Sequence, residues 1–252
     1  MSDSASEPEQ PVLTSVPAQR RDLIEVIAFD ADDTLWHSEV YFKRTERRFT
    51  ELVGRYVEPD VDVDALLVEV EHRNLGRYGY GIKGFTLSMV EAAIEATGGA
   101  IGTDELGQIL AAGRQMLDHP VDLIDGVAET LDLLADRGFR LLMVTKGDLH
   151  HQEHKISESG LADRFERLEI VSEKDPVTYR RVVSSMDVAP EAFCMVGNSV
   201  RSDVLPVLDI GAHAVHIPYH VTWAHEDVSH NGDVPTLVSI AELPDWLLAN
   251  GR

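Results

Sequence analysis

The second half of this chain of 252 residues alternates short apolar runs with amphipathic stretches, and that rhythm limits the folds open to it. Residues 127–137 (VAETLDLLADR) read as an amphipathic helix closed by Gly138. A strand is expected over 139–144, a helix over about 150–159 ending at Gly160, and a short strand over 168–171. A helix opened by a proline follows at 176–186, then a strand at 193–196, a helix at 202–210 and a strand at 212–217. Strands alternating with helices at this spacing imply parallel βαβ units, hence an α/β doubly wound sheet.

One further apolar run, residues 23–29 (LIEVIAF), stands at the front and stops at an acidic cluster beginning with Asp30. It reads as a buried strand. Between it and the alternating half the texture changes. From 41 to about 117 the apolar residues fall at helical spacing, punctuated by Gly54, Gly76, Gly79, Gly81, Gly84, Gly98 and Gly99. The expected organisation is a tail over 1–22, an α/β core built from 23–37 and 124–252, and a helical insertion over 38–123.

Composition narrows the function. Twenty-two basic residues stand against 44 acidic ones, a net charge of -22. Such a surface repels phosphate backbones and anionic lipids, so neither nucleic acid nor membrane is an expected partner. A small anionic substrate stays open, because a bound metal ion inverts the field inside one pocket. The single cysteine, Cys194, leaves no internal disulfide and no Cys-rich zinc site. No apolar run approaches the roughly 20 residues that span a bilayer. The Ser/Pro/Glu/Gln-rich N-terminus is expected to be disordered and has no secretory pattern, which points to a cytoplasmic location.

Parallel open sheets bind ligands beyond the carboxyl ends of their strands, so the polar residues that follow each apolar run matter most. These are Asp30, Asp32, Asp33 and Thr34; Thr145, Lys146, Gly147 and Asp148; Ser172, Glu173, Lys174 and Asp175; and Gly197, Asn198, Ser199 and Asp203. Carboxylates, a hydroxyl and a lysine converging at strand ends suit a hard divalent cation plus a phosphoryl group.

In these residues the chain resembles the haloacid dehalogenase superfamily. The DxDxT motif is Asp30-Ala31-Asp32-Asp33-Thr34. The strand-ending Thr is Thr145 in LLMVT, the lysine is Lys174 in EIVSEKDP, and the last acidic motif is Gly197 to Asp203 in MVGNSVRSD. All four occur in order. Asn198 departs from the pattern, since many relatives carry Asp there.

The resemblance implies a phosphatase-like hydrolase with a small helical cap inserted after the first core strand. Its expected reaction is magnesium-dependent hydrolysis of a small phosphorylated metabolite. Asp30 is the expected nucleophile, forming an aspartyl-phosphate. Asp32 is the expected general acid and then base. Thr145, Lys146 and Lys174 are expected on the phosphoryl group, with Lys174 also neutralising the nucleophile. Mg2+ is expected on Asp30, Asp203, the backbone carbonyl of Asp32 and, as a supporting ligand, Asn198.

Lys155, on the helix after the second strand, rivals Lys174, which is favoured because it follows a strand directly. Thr145 has a second reading as a helix cap. His150, His151 and His154 include an i, i+4 pair but lack the intervening Glu of a metalloprotease, so a solvated face is expected. His213, His216 and His220 read as ordinary core and surface positions, and the segment 220–226 (HVTWAHE) as a candidate pocket wall. The helix FKRTERRF reads as a salt-bridged face with a lesser substrate-contact reading. A phosphonatase would need a cap lysine placed for a Schiff base, and neither Lys43 nor Lys83, the only cap lysines, sits in a compelling context for it. A 2-haloacid dehalogenase or phosphomutase on the same scaffold, and a non-catalytic phosphate-binding module, are the alternative functions. Asp32 argues against the dehalogenase.

Overall fold

The computed structural model describes residues 23–221 and 234–248. The expected disordered tail and residues 222–226 of the candidate pocket-wall segment lie outside them. Five strands form one parallel sheet: β1 Val26–Phe29, β2 Arg140–Lys146, β3 Arg167–Val171, β4 Phe193–Gly197 and β5 His213–His216. Their spatial order is β3-β2-β1-β4-β5. Four helices lie between β1 and the alternating half: α1 Glu39–Val53, α2 Val63–Tyr78, α3 Ile82–Ala96 and α4 Thr103–Leu117. Five more flank the sheet: α5 Val127–Asp136, α6 Leu149–Glu158, α7 Pro176–Ser185, α8 Leu205–Asp209 and α9 Leu243–Leu248.

The two-residue period of a strand explains the layering. Ile27, Phe29, Leu141, Met143, Cys194 and Val196 face one core, together with Leu131 of α5, Ile156 of α6 and Leu243 of α9. Val26, Ala28, Leu142, Val144, Phe193 and Met195 face the other, against Tyr179 of α7 and Val207 of α8. Both faces are covered, which is why these strands read as unbroken apolar runs. Burying each large aliphatic side chain contributes about 1.5–3 kcal/mol. The insertion has a core of its own, built on Phe49, Leu67, Val70, Phe85 and Met89.

The expected helix over 202–210 is shorter and differently wound. Val200–Val204 forms a π-helical turn, and α8 starts only at Leu205. Pro206 supplies no N–H to the Ser202 carbonyl four residues back. That carbonyl instead accepts from the buried Tyr179 hydroxyl at 3.0 Å. The first strand is also shorter than the apolar run suggests, because pairing with β2 and β4 begins at Val26.

Two connections join the insertion to the sheet, and they run side by side. The His37 amide donates to the Asp122 carbonyl at 2.9 Å, and the Ile124 amide to Leu35 at 3.0 Å. Buried Trp36 pairs with Leu123 across this neck.

Candidate active site

β1 is central, and the chain crosses from one side of it to the other between β3 and β4, so its carboxyl end opens at the switch point of the sheet. Asp30 is the first residue past that end, anchored by its amide to the Val196 carbonyl at 2.9 Å. Lys174, past β3 and 4% exposed, reaches across β2 to this point. Its ammonium donates to Asp30 Oδ1 and, at 2.7 Å, to Asp203 Oδ1. Asp203 Oδ2 accepts from the Ser199 amide at 3.0 Å. Asp203 lies so close to the backbone that a Cβ on Gly197 would meet its carboxylate at 2.2 Å. Four of the residues expected at the site, Asp30, Lys174, Asp203 and Thr145, are thereby brought to one buried edge.

Their charges hold one another. Burial pushes the Asp30 carboxyl up, while Lys174 pulls it down and Asp203 pushes it up again. Burial acts to lower the Lys174 ammonium, but the two carboxylates outweigh it and keep the lysine charged.

Asp32 is the second carboxylate, and it is held apart from this cluster. Lys155 and the Trp36 indole donate to its Oδ1 at 2.5 and 2.6 Å, and Gln152 donates to Oδ2 at 3.1 Å. Burial pushes Asp32 up, but Lys155 and the neutral donors prevail and hold it below the usual carboxylate range. The two lysines that competed as readings thus serve different carboxylates: Lys174 sits on Asp30 and Lys155 on Asp32.

Gln152 connects the parts. Its amide nitrogen also lies 2.8 Å from Thr145 Oγ1 and 2.9 Å from the Lys146 carbonyl. Thr145 does not cap α6; Asp148 does, accepting from the His151 amide at 2.9 Å. The Lys146 ammonium turns to Ser202 Oγ at 2.9 Å and stands 4.4 Å above the Tyr80 ring. Gln152 and Lys155 escaped the sequence reading as site partners of Asp32, although their i, i+3 spacing on the helix after Thr145 was a signal.

Asn198 completes the floor. One end of its amide lies 3.2 Å from Asp30 Oδ2 and 3.3 Å from the Asp32 carbonyl oxygen. With nitrogen at that end, Asn198 donates to both. With oxygen there, the amide accepts from the Thr34 hydroxyl at 3.4 Å and stands beside two further oxygens, a donor set that suits a cation. Carboxylate, backbone carbonyl and amide oxygen are the donors a hard divalent ion takes, so these residues fit magnesium. Among the described residues no three His, Cys, Asp or Glu side chains form a metal cluster. His216 braces the loop, with Nε2 3.0 Å from the Asn198 carbonyl.

Asp33 joins this floor to the insertion. It adopts φ 62° and accepts from the amides of Ser38 (2.9 Å) and Glu39 (3.0 Å), capping α1 from outside the helix. Burial pushes its carboxyl up to about 7. A cavity of about 170 Å³ extends from Asp30 and Thr145 to the helical wall, where Glu39, Glu71 and Asn74 line it.

The other candidates lie aside. His150 and His154 are exposed, as expected of a solvated face, but His151 lines the cavity, and burial lowers its imidazole to about 4. Arg44, Arg47 and Arg48 of FKRTERRF are exposed, and only Phe42 of that segment lines the cavity. His213 is buried, with Nε2 3.0 Å from the Glu191 carbonyl. Lys43 pairs with Glu46 at 2.8 Å and Lys83 with Asp148 at 2.8 Å.

Residues 24–211 match the model of the haloacid dehalogenase-like hydrolase family. A haloacid dehalogenase-like family hydrolase from Xanthomonas campestris is 42% identical, with 90% of this chain and 92% of that one covered and a TM-score of 0.80. A predicted phosphoglycolate phosphatase from Haemophilus somnus (17% identity, 88% and 97% covered, TM-score 0.59) shares the fold. So does a 2-haloacid dehalogenase from Pseudomonas syringae (22%, 90% and 100%, 0.57). A search of curated proteins found no match. The chain belongs to the haloacid dehalogenase-like hydrolases. Among its described residues no helix is long and apolar enough to cross a membrane.

Proposed function

We propose that this hydrolase cleaves a small-molecule phosphate monoester through an aspartyl-phosphate on Asp30, with magnesium as cofactor. The observation that carries the reading is the second carboxylate: Asp32 lies two residues beyond the nucleophile and is held in place by Lys155, Trp36 and Gln152. A phosphatase needs a proton carrier for the leaving alkoxide and for the attacking water, whereas displacement of a halide needs none for its leaving group.

Asp30 attacks phosphorus with a carboxylate oxygen as the ester bond to the leaving oxygen breaks. Lys174 balances the charge that gathers on the nucleophile and the phosphoryl oxygens. The Thr145 hydroxyl, fixed by Gln152, is aimed at the same edge, and Lys146 stands at its rim. Asp32 rests ionised, the form that serves as base toward water. The negative charge of an arriving phosphate ester raises it toward the protonated form that serves the leaving group. Asp30, the Asp32 carbonyl, Asn198 and Asp203 are the residues to hold magnesium. When bound, the ion screens the repulsion between carboxylate and phosphate and polarises the phosphoryl oxygens. The insertion over 38–123 acts as a cap that shields the cleft from water and selects the substrate.

The test is phosphate release from a panel of sugar phosphates, nucleotides and p-nitrophenyl phosphate with magnesium, beside Asp30→Asn. A loss of at least about 10³-fold in the variant is expected. Equal release by both proteins on every substrate would sink the reading, and chloride release from 2-chloropropionate in chelator would replace it.

A further inference from the structure

The cap side of the cavity carries carboxylates that the reaction does not use. Glu39 and Glu71 are each 8% exposed, and both line the cavity that begins at Asp30. Lys43 is the ammonium nearest Glu39 Oε1, at 3.8 Å, and it is engaged closer by Glu46 at 2.8 Å. Three carboxylates thus share one ammonium, and that ammonium does not line the cavity. Glu39 Oε1 is buried with no hydrogen-bond partner.

An independent observation comes from a neutral side chain. Asn74 is 1% exposed and lines the same cavity. Its nitrogen donates to Ser88 Oγ at 3.2 Å and Glu91 Oε2 at 2.9 Å. Its oxygen is buried with no partner. A buried acceptor without a donor is costly, so a ligand bringing N–H groups recovers that cost on binding. Phe42 and Phe85, with ring centroids 5.1 Å apart, line the cavity too. Acceptors beside aromatic faces suit an organic ammonium better than a hydrated metal ion.

We propose that Glu39, Glu71 and Asn74 form an ammonium-binding subsite, which selects phosphate monoesters whose leaving group carries a protonated amine. This rests on the phosphatase reading. The phosphoryl group lies on the sheet edge with Asp30, and the amine lies against the insertion. One substrate therefore spans the lysine-bearing sheet edge and the glutamate-bearing wall.

Two matched pairs test it: 3-aminopropyl phosphate against 3-hydroxypropyl phosphate, and glucosamine 6-phosphate against glucose 6-phosphate. In at least one pair the wild type is expected to favour the amine at least tenfold in kcat/KM. Glu71→Gln should cut that ratio at least fivefold, and Glu39→Gln should do so independently if the first variant folds poorly. A preference for the hydroxyl member in both pairs, or a ratio unmoved in both variants, overturns the subsite. Release from p-nitrophenyl phosphate keeps the two readings apart: turnover without amine preference removes only the subsite. If nothing turns over, calorimetric titration with 3-amino-1-propanol decides. Binding weakened by Glu71→Gln supports the subsite, and no binding to the wild type ends it.

Discussion

The two walls of the cavity pair their buried carboxylates differently. At the sheet edge two lysines touch three carboxylates directly: Lys174 lies between Asp30 and Asp203, and Lys155 meets Asp32. On the helical wall Glu39 and Glu71 are equally buried, yet they share Lys43 with Glu46. Burial pushes Glu39 up to about 8 and Glu71 up to about 7. The difference teaches where the fold itself supplies a direct partner to buried charge and where it does not. The floor carboxylates touch their lysines directly, while the wall glutamates share a lysine that Glu46 engages more closely.

The sharpest way to break this contrast is Lys174→Met. It strands two buried carboxylates, and a loss of about 3–5 kcal/mol in urea unfolding is expected. A loss under about 1 kcal/mol would mean that the floor is not held by its lysine. Next in size is Gly197→Ala. The new Cβ meets the Asp203 carboxylate at 2.2 Å and must displace it from Lys174. About 2–3 kcal/mol is expected from the same unfolding measurement, with phosphate release falling as well.

The smallest effect carries the opposite sign. A glutamate whose folded pKa is raised binds its proton more tightly when folded, so its stabilising share is full below about pH 4.5. That share fades as pH rises through about 7 for Glu71 and about 8 for Glu39. Wild-type melting temperature should therefore fall between pH 5 and 8, with Asp30 and Asp33 adding to the slope. Glu71→Gln should flatten it and raise the melting temperature at pH 8 by roughly 3–6 °C, or about 1–2 kcal/mol. A lower melting temperature at pH 8 would mean that the wall carboxylate is paired after all.

Much of the floor was legible in the chain. Asp30, Thr145, Lys174 and Asp203 each follow an apolar run, and a parallel sheet places all such positions along one edge. What could not be read was which partner each would meet. Lys155 sits in a histidine-bearing helix that looks solvated, and only the packing of α6 turns Gln152 and Lys155 toward Asp32. Asp33 looked like one more acid in a cluster, yet a positive φ lets it cap α1 five residues on. Glu39 and Glu71 resemble the ordinary surface glutamates of amphipathic helices.

The sequence by itself determined the alternating sheet, the helical insertion and the acidic, strand-ending residues, because strand and helix periods and the stop of each apolar run are local properties. The tertiary structure alone decided how charge is shared: one lysine between Asp30 and Asp203, another on Asp32, and too few on the wall. Pairing depends on distance through space, and burial removes the water that would otherwise make those distances matter little.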